Sequence, residues 1–216
     1  MSEVVIYGVP GSPFMRSVLV ALEEKRAPYR IEPVAPGALK GAEYLRLHPF
    51  GRVPAIRHNG FELYETQAIL RYVDAAFAGP ALQPREAEAI GRMNQAIGIN
   101  DWYLFPLVAR VIVFERIVGP ALFGKTPNEE AIAAALPDAR LCLGELDRLL
   151  GRSEHLAGAD FSLADVQLAP QIEYLAATPE GSSILAGTAL RAWLDRVGER
   201  ASMRATLPPE ALRRAA

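Results

Sequence analysis

The chain has 216 residues, of which 50% are hydrophobic and 22% are charged, and its formal net charge is -2. This composition is typical of folded globular proteins and excludes extensive disorder, and the length suits one or two domains. No long run of lysine and arginine indicates a nucleic-acid-binding surface. The longest stretch without a charged residue, Val4 to Met15, is shorter than the ~20 apolar residues of a membrane-spanning helix, so neither nucleic acid nor a membrane is an expected partner.

The first third of the chain predicts an α/β unit of order β-α-β-(α)-β-β-α. Ser12 and Pro13 suit the N-cap and the first position of the opening helix. Asn59-Gly60 is a hairpin signal between two short strands. The predicted strands are 4–7, 29–33, 53–57 and 61–63, and the predicted helices are the one that begins at Ser12, a short stretch at 43–47, and 65–77.

A linker is predicted at 79–84, which reads Gly-Pro-Ala-Leu-Gln-Pro. Strand signals nearly vanish after it, so we expect two domains, 1–79 and 85–216, of which the second is helical. Pro106 should kink or break the first helix of that domain. The expected helices are 85–118, 127–150, 162–177 and 188–199.

Ser162 and Asp165 have the S-x-x-D spacing of a capping box, with Phe161 and Val166 at the two staple positions. This pattern predicts that Asp165 begins a buried helix and has a structural role, not a catalytic one.

Four motifs resemble the glutathione transferase family, closest to its serine-type phi and theta-like classes. They follow one another in the family's order: the loop and helix at 8–19, with Pro10, Ser12 and Arg16; the block Pro49-Phe50-Gly51-Arg52-Val53-Pro54-Ala55; the pair Glu65-Thr66; and the capping box at 161–165. Lys40 falls where the phi pattern has a lysine. The chain departs from the family pattern at Leu39, His48, Arg52 and Thr66.

The resemblance implies an α/β thioredoxin-like N-terminal domain plus an all-α C-terminal domain, the glutathione transferase fold. It also implies glutathione as co-substrate, a small hydrophobic electrophile as second substrate, and a homodimer. No metal is expected, since His48, His58 and His155 have no ligand spacing, and we predict that all three lie on the surface or in loops. Cys142, the only cysteine, is expected to be buried, and a reducing, cytoplasmic compartment is expected, since no secretory signal is recognisable.

Ser12 is the catalytic candidate. An ordinary thiol has a pKa near 8.5, while the thiolate is the reactive form. We predict that the Ser12 hydroxyl donates a hydrogen bond to the sulfur and that the positive end of the helix assists it. The alternative is that Ser12 acts only as the N-cap. Two roles are open for Arg16: it supports the loop before the opening helix electrostatically, or it forms an ion pair at the surface.

The remaining glutathione contacts follow from the resemblance. Val53-Pro54 is expected to be cis, with the Val53 backbone pairing with the cysteinyl residue. Glu65 and Thr66 suit the γ-glutamyl end, unless Glu65 is simply a helix cap. Lys40 and Arg52 suit the glycine carboxylate or are solvated surface cations. Phe14 is a further glutathione contact.

The electrophile is expected near Val9, Phe14, Tyr103, Phe105 and Val108, although an aromatic cluster on a helix is more often core. Two further possibilities concern a partner chain: Phe50 fills a pocket there or is buried in its own domain, and Asp101 reaches the peptide's ammonium group.

Three functions remain open from the sequence. The first is conjugation of glutathione to a hydrophobic electrophile. The second is action of the same thiolate on a hydroperoxide or a halogenated compound. The third is a non-catalytic binding module that kept the fold, which the retained Ser12, Lys40, Glu65 and Thr66 disfavour.

Overall fold

A computed structural model describes residues 2–214, and the chain divides into two compact units. The first unit contains the chain up to Gln83 together with Ala201–Pro208, and the second contains Pro84–Arg200 and the described residues after Pro208. The segment 201–208 follows the helical part in sequence yet belongs to the first unit. Its attachment there includes a hydrogen bond from the buried Arg16 guanidinium to the Met203 carbonyl at 3.2 Å.

The first unit is built on a four-stranded sheet of order β2-β1-β3-β4. Strand β1 is parallel to β2 and antiparallel to β3, which is antiparallel to β4. The strands are β1 Val4–Gly8, β2 Tyr29–Pro33, β3 Ala55–His58 and β4 Phe61–Tyr64. The helices are α1 Pro13–Glu24, α2 Ala42–Leu47 and α3 Thr66–Ala76, with a 3₁₀ turn at Pro36–Ala38 and the short α11, Ala201–Ala205. The predicted thioredoxin-like order is confirmed.

The core of this unit is apolar and lies where α1 and α3 pack together. Val4 and Ile6 alternate with half-exposed residues along β1, which is the period of a strand buried on one face. The hairpin between β3 and β4 turns at Asn59 and Gly60, which have φ values of 52° and 81°. Two successive positive φ values are what a two-residue type I′ turn requires, so the hairpin prediction is confirmed.

The predicted linker is anchored to the first unit rather than loose. The Asp74 carboxylate accepts from the Lys25 ammonium at 2.6 Å and from the Leu82 backbone N–H at 2.9 Å. Lys25 also donates to the Pro80 carbonyl at 2.7 Å. Burial alone would raise the pKa of Asp74, but the hydrogen bonds from Lys25, Gln83 and Leu82 outweigh it and hold the pKa below its usual value.

The second unit is helical, and its first helix does not break at Pro106. α4, Ala87–Ile99, continues through a π-helical stretch at Asn100–Ala109, then α5 Arg110–Val113, a second π-helical stretch at Phe114–Val118, and α6 Gly119–Phe123. This continuity shows that the predicted break does not occur, and the distortion at Pro106 takes the form of wider i→i+5 turns, which accommodate a residue that has no N–H to donate.

The remaining helices of the second unit are α7 Glu129–Leu150, α8 Leu163–Ala176, α9 Pro179–Leu185, α10 Ala189–Gly198 and α12 Glu210–Arg214. Cys142 is buried in α7, as predicted, and burial raises the pKa of its thiol. Among residues 2–214, no helix is both long and apolar enough to cross a membrane.

The capping box at α8 is confirmed and is larger than the sequence pattern indicates. Asp165 has 0% exposure. Its carboxylate accepts from the Ser162 backbone N–H at 2.9 Å and from the Ser162 hydroxyl at 3.0 Å. It also accepts from the Leu156 N–H at 3.0 Å and from the indole N–H of Trp193 at 2.8 Å. One buried carboxylate therefore joins α8, α10 and the loop before α8.

Candidate active site

Ser12 occupies the N-cap of α1, as predicted. Its backbone N–H donates to the Val9 carbonyl at 3.0 Å, and Gly11 before it has φ 92°, a conformation that favours glycine. Pro13 follows at the first helical position. The turn therefore places the Ser12 side chain at the amino end of a 12-residue helix, where the helix dipole favours a negative charge.

The Ser12 hydroxyl acts as an acceptor in this turn. Its oxygen accepts from the Met15 backbone N–H at 3.4 Å. Within residues 2–214 the structure gives this hydroxyl no acceptor for its own hydrogen. A hydroxyl can accept and donate at the same time, so the capping role does not use the hydrogen that the catalytic role requires.

Arg16 is not at the surface. The side chain is buried in the first unit, and its guanidinium contacts the Met203 carbonyl. The alternative interpretation of a surface ion pair is therefore wrong. Sequence reasoning missed this contact because its partner lies 187 positions further along the chain.

The segment 48–54 holds the second group of predicted residues. The Val53–Pro54 bond is cis, as predicted. Val53 precedes the paired residues of β3, so the sheet ladder does not use its backbone groups. Gly51 has φ 60°, and a Cβ there would lie 2.6 Å from the Leu39 carbonyl oxygen, so this position requires glycine.

Two side chains outside the segment 48–54 hold it by hydrogen bonds to its backbone. The Lys40 ammonium donates to the Phe50 carbonyl at 2.8 Å, and the Tyr44 hydroxyl donates to the Arg52 carbonyl at 2.7 Å. Lys40 and Arg52 are both exposed. The Arg52 guanidinium has no hydrogen-bond or ion-pair partner in the described part of the chain. Both cations are therefore accessible to an anion, and their role as glutathione contacts stays a prediction.

Glu65 and Thr66 lie where β4 passes into α3. Glu65 has φ 72°, which is unusual for a residue other than glycine and costs about 1–3 kcal/mol. Glu65 is exposed and its side chain makes no capping hydrogen bond to α3, so the interpretation of simple capping is wrong. Thr66 is buried at the first helical position. The amino end of α3 thus lacks a side-chain cap while the backbone before it is strained.

The prediction that all three histidines lie on the surface or in loops is wrong for His58, which is buried at the end of β3, whereas His48 lies in the loop after α2 as predicted but is buried there. His48 is 2% exposed, and its ring centroid lies 4.8 Å from that of Tyr64. The His48 Nδ1 atom has no hydrogen-bond partner among residues 2–214. No group of three or more histidine, cysteine or acidic residues within 2–214 could hold a metal ion.

Burial lowers the pKa of His48, an effect that Glu65 partly opposes and that Arg52 and Lys40 reinforce. The unfolded chain therefore binds a proton more readily than the native chain as the pH falls below about 6.5. We expect stability to decrease over this range, until the lower pKa of the folded state is reached.

His48→Asn should remove this part of the pH dependence. The measurement is the urea midpoint at pH 7.5 and at pH 5.5 for both proteins, since the other histidines contribute equally to each. The wild-type protein should lose more stability between the two pH values than the variant. An equal loss would show that the buried imidazole titrates normally.

Phe50 is 61% exposed, with its ring edge-on to those of His48 and Tyr64. The alternative of burial within its own unit is therefore wrong. Contact with a partner chain stays a prediction.

A groove of about 730 Å³ lies within the first unit, between α2 and the sheet. It is lined by Tyr7, Val34, Arg57 and Glu62, among others, and by none of the predicted site residues. The Arg57 guanidinium lies 5.7 Å from the centre of the Tyr7 ring. The predicted site residues therefore lie outside the lining of this groove.

The electrophile candidates differ in their exposure. Val9 and Phe14 are half-buried in the first unit. In the second, Tyr103 is 56% exposed and Phe105 is half-buried, whereas Val108 belongs to the core. The prediction for Val108 as a ligand contact is therefore wrong, and those for the other four stay predictions.

Sequence reasoning missed Trp102, which is 75% exposed. A helical period of 3.6 residues assigns faces incorrectly in a π-helical stretch, where the turns are wider. Its neighbour Asp101 accepts from the side-chain amides of Asn100 at 2.9 Å and Gln167 at 2.6 Å. These contacts fix the Asp101 carboxylate, and its reach to a partner's ligand stays a prediction.

Two family models match the chain. The N-terminal domain of glutathione S-transferase matches residues 6–81, and the C-terminal domain matches residues 129–196. Glutathione S-transferase 3 of Zea mays is 30% identical over 220 residues, which cover 97% of this chain and 97% of that protein.

Solved structures agree with these matches. The apo form of glutathione S-transferase III has a TM-score of 0.85 at 30% identity and covers 96% of this chain and 99% of its own. Glutathione S-transferase I from maize, in complex with an atrazine glutathione conjugate, has a TM-score of 0.83 at 26% identity, covering 99% of both chains. The thioredoxin-like unit, the helical unit and these relatives agree, and the chain therefore belongs to the glutathione S-transferase family of enzymes.

Proposed function

We propose that this enzyme conjugates the thiolate of glutathione to small hydrophobic electrophiles, with the Ser12 hydroxyl donating a hydrogen bond to the sulfur. The observation that carries the proposal is the Ser12 hydroxyl at the amino end of α1, where it accepts from Met15 and keeps its own hydrogen for another partner. The maize relative bound to an atrazine glutathione conjugate supports the substrate class.

The energetic requirement is modest. Only a few per cent of an ordinary thiol is ionised at pH 7, and each unit of pKa depression needs about 1.4 kcal/mol of preferential binding of the thiolate. A hydrogen bond to a charged group contributes about 1.5–3 kcal/mol. The Ser12 hydroxyl and the α1 dipole together can therefore lower the thiol pKa by about one to two units.

The ends of the tripeptide meet groups of opposite charge in this proposal. The strained Glu65 turn presents a carboxylate to the ammonium of the γ-glutamyl group, and Thr66 at the start of α3 presents its amide to the α-carboxylate. Lys40 and Arg52 receive the glycine carboxylate. The Val53 backbone pairs with the cysteinyl residue beside Pro54, and Phe14 contacts the peptide near the sulfur.

The enzyme is further proposed to act as a cytoplasmic homodimer with a role in detoxification. Phe50 supports the dimer, because an exposed phenylalanine ring held by two other rings suits insertion into a partner's pocket. The single buried cysteine is compatible with a reducing compartment.

The test is retention on immobilised glutathione followed by activity assays. The protein should bind the column, elute with free glutathione, and turn over a general aryl halide. Turnover of a hydroperoxide in place of the aryl halide would favour the peroxidase alternative. Retention without turnover in either assay would contradict catalysis and favour a binding module.

A further inference from the structure

Tyr44 of α2 is a buried tyrosine whose hydroxyl leaves the helix to bond another segment. It donates to the Arg52 carbonyl oxygen at 2.7 Å. Burial raises the pKa of Tyr44 to about 12, so the phenol remains a protonated donor at neutral pH. This hydrogen bond joins a rigid helical turn to the segment before the cis proline.

The planarity of the Arg52–Val53 peptide group links the Tyr44 hydrogen bond to the direction of the Val53 N–H. The Arg52 carbonyl and the Val53 N–H belong to one planar peptide group, and in a trans peptide they point in opposite directions. The only cis bond among the described residues is Val53–Pro54, so the Arg52–Val53 peptide is trans. A donor that holds the Arg52 oxygen therefore also sets the direction of the Val53 N–H, which points away from Tyr44.

The sheet pairing of β3 does not hold the Arg52–Val53 peptide. Val53 precedes the β3 ladder, and the neighbouring anchor, Lys40, holds the Phe50 carbonyl two peptides earlier. Tyr44 is thus the side chain that bonds the peptide group to which the Val53 N–H belongs.

We propose that Tyr44 is a positioning residue for glutathione, which holds the Arg52–Val53 peptide plane so that the Val53 N–H meets the cysteinyl carbonyl of the tripeptide. The inference rests on the proposed function, since it assigns Tyr44 a part in the same site. Tyr44 does not touch the substrate in this account, and it acts through the backbone of its neighbour.

The test is Tyr44→Phe, which removes one hydroxyl and keeps the buried ring. A lost hydrogen bond of this type should raise KM for glutathione about 5-fold. KM for the electrophile and kcat at saturating glutathione should stay within about 2-fold, because the sulfur and its donor are unchanged. The pH profile of kcat should also be unchanged.

Tyr29→Phe is the matched control. The Tyr29 hydroxyl also donates a 2.7 Å hydrogen bond within the first unit, to Glu23, and that contact lies on another part of the unit. Both variants should lose similar thermal stability, and only Tyr44→Phe should change KM for glutathione.

The outcomes separate the two proposals. If the wild-type protein binds glutathione and the two variants have the same KM for it, the inference is overturned and the proposed function stands. A fall in kcat without a change in KM would also overturn it. If the wild-type protein does not bind glutathione, the proposed function fails and the inference fails with it.

Discussion

Replacing Ser12 by alanine is expected to lower kcat about 10- to 100-fold while glutathione affinity changes less than about 3-fold. The variant keeps the peptide contacts at Val53, Glu65 and Thr66 and loses the donor to the sulfur. One to two units of pKa depression correspond to this range at neutral pH. The measurements are kcat with a general aryl halide and the dissociation constant of glutathione by calorimetry.

The loss of the α1 N-cap must be separated from the loss of the donor, because removing a cap costs about 1 kcal/mol of stability. Thr188→Ala is the matched control, since Thr188 caps α10 by accepting from the Arg191 N–H at 3.1 Å. It should lose stability and keep turnover. Ser12→Thr should restore much of the activity. Equal losses of affinity and turnover in Ser12→Ala would contradict the role in stabilising the thiolate.

Asp165→Ala is expected to have the largest effect on stability. It removes the acceptor of four hydrogen bonds in a site without solvent access, and each donor left unsatisfied costs about 1–3 kcal/mol. We expect a loss of at least about 4 kcal/mol. Thermal unfolding should move down by about 10 °C for a chain of this size.

Asp160→Ala is the control for this change, because Asp160 is an exposed carboxylate shortly before the same helix. Its stability should stay within about 0.5 kcal/mol of the wild-type protein. A thermal midpoint for Asp165→Ala close to that of Asp160→Ala would show that the buried carboxylate does not hold the helices together.

The features that the sequence could predict depend on residues that are close together in the chain. The Asn59-Gly60 turn needs two positive φ values that these residue types tolerate. The Ser162–Asp165 spacing places a hydroxyl and a carboxylate on one helical turn. The cis bond at Val53–Pro54 was inferred from the family resemblance, since composition alone gives a low expectation.

The features that sequence missed depend on partners far away in the chain. The sequence near Arg16 is compatible with a surface cation, because the residue that accepts its hydrogen bond, Met203, lies far along the chain. Lys25 and Asp74 show no local spacing, yet their buried pair anchors the linker. The buried His48 packs against the ring of Tyr64, which lies on β4, at a centroid distance of 4.8 Å. No local pattern records any of these contacts.

The most direct test of the account is a titration of the glutathione thiol in its complex with the protein, followed by the ultraviolet absorbance of the thiolate. Free glutathione and the Ser12→Ala complex serve as references. The account predicts a pKa for the bound thiol about one to two units below that of free glutathione, with most of the shift lost in Ser12→Ala. A bound thiol no more acidic than the free one would contradict it.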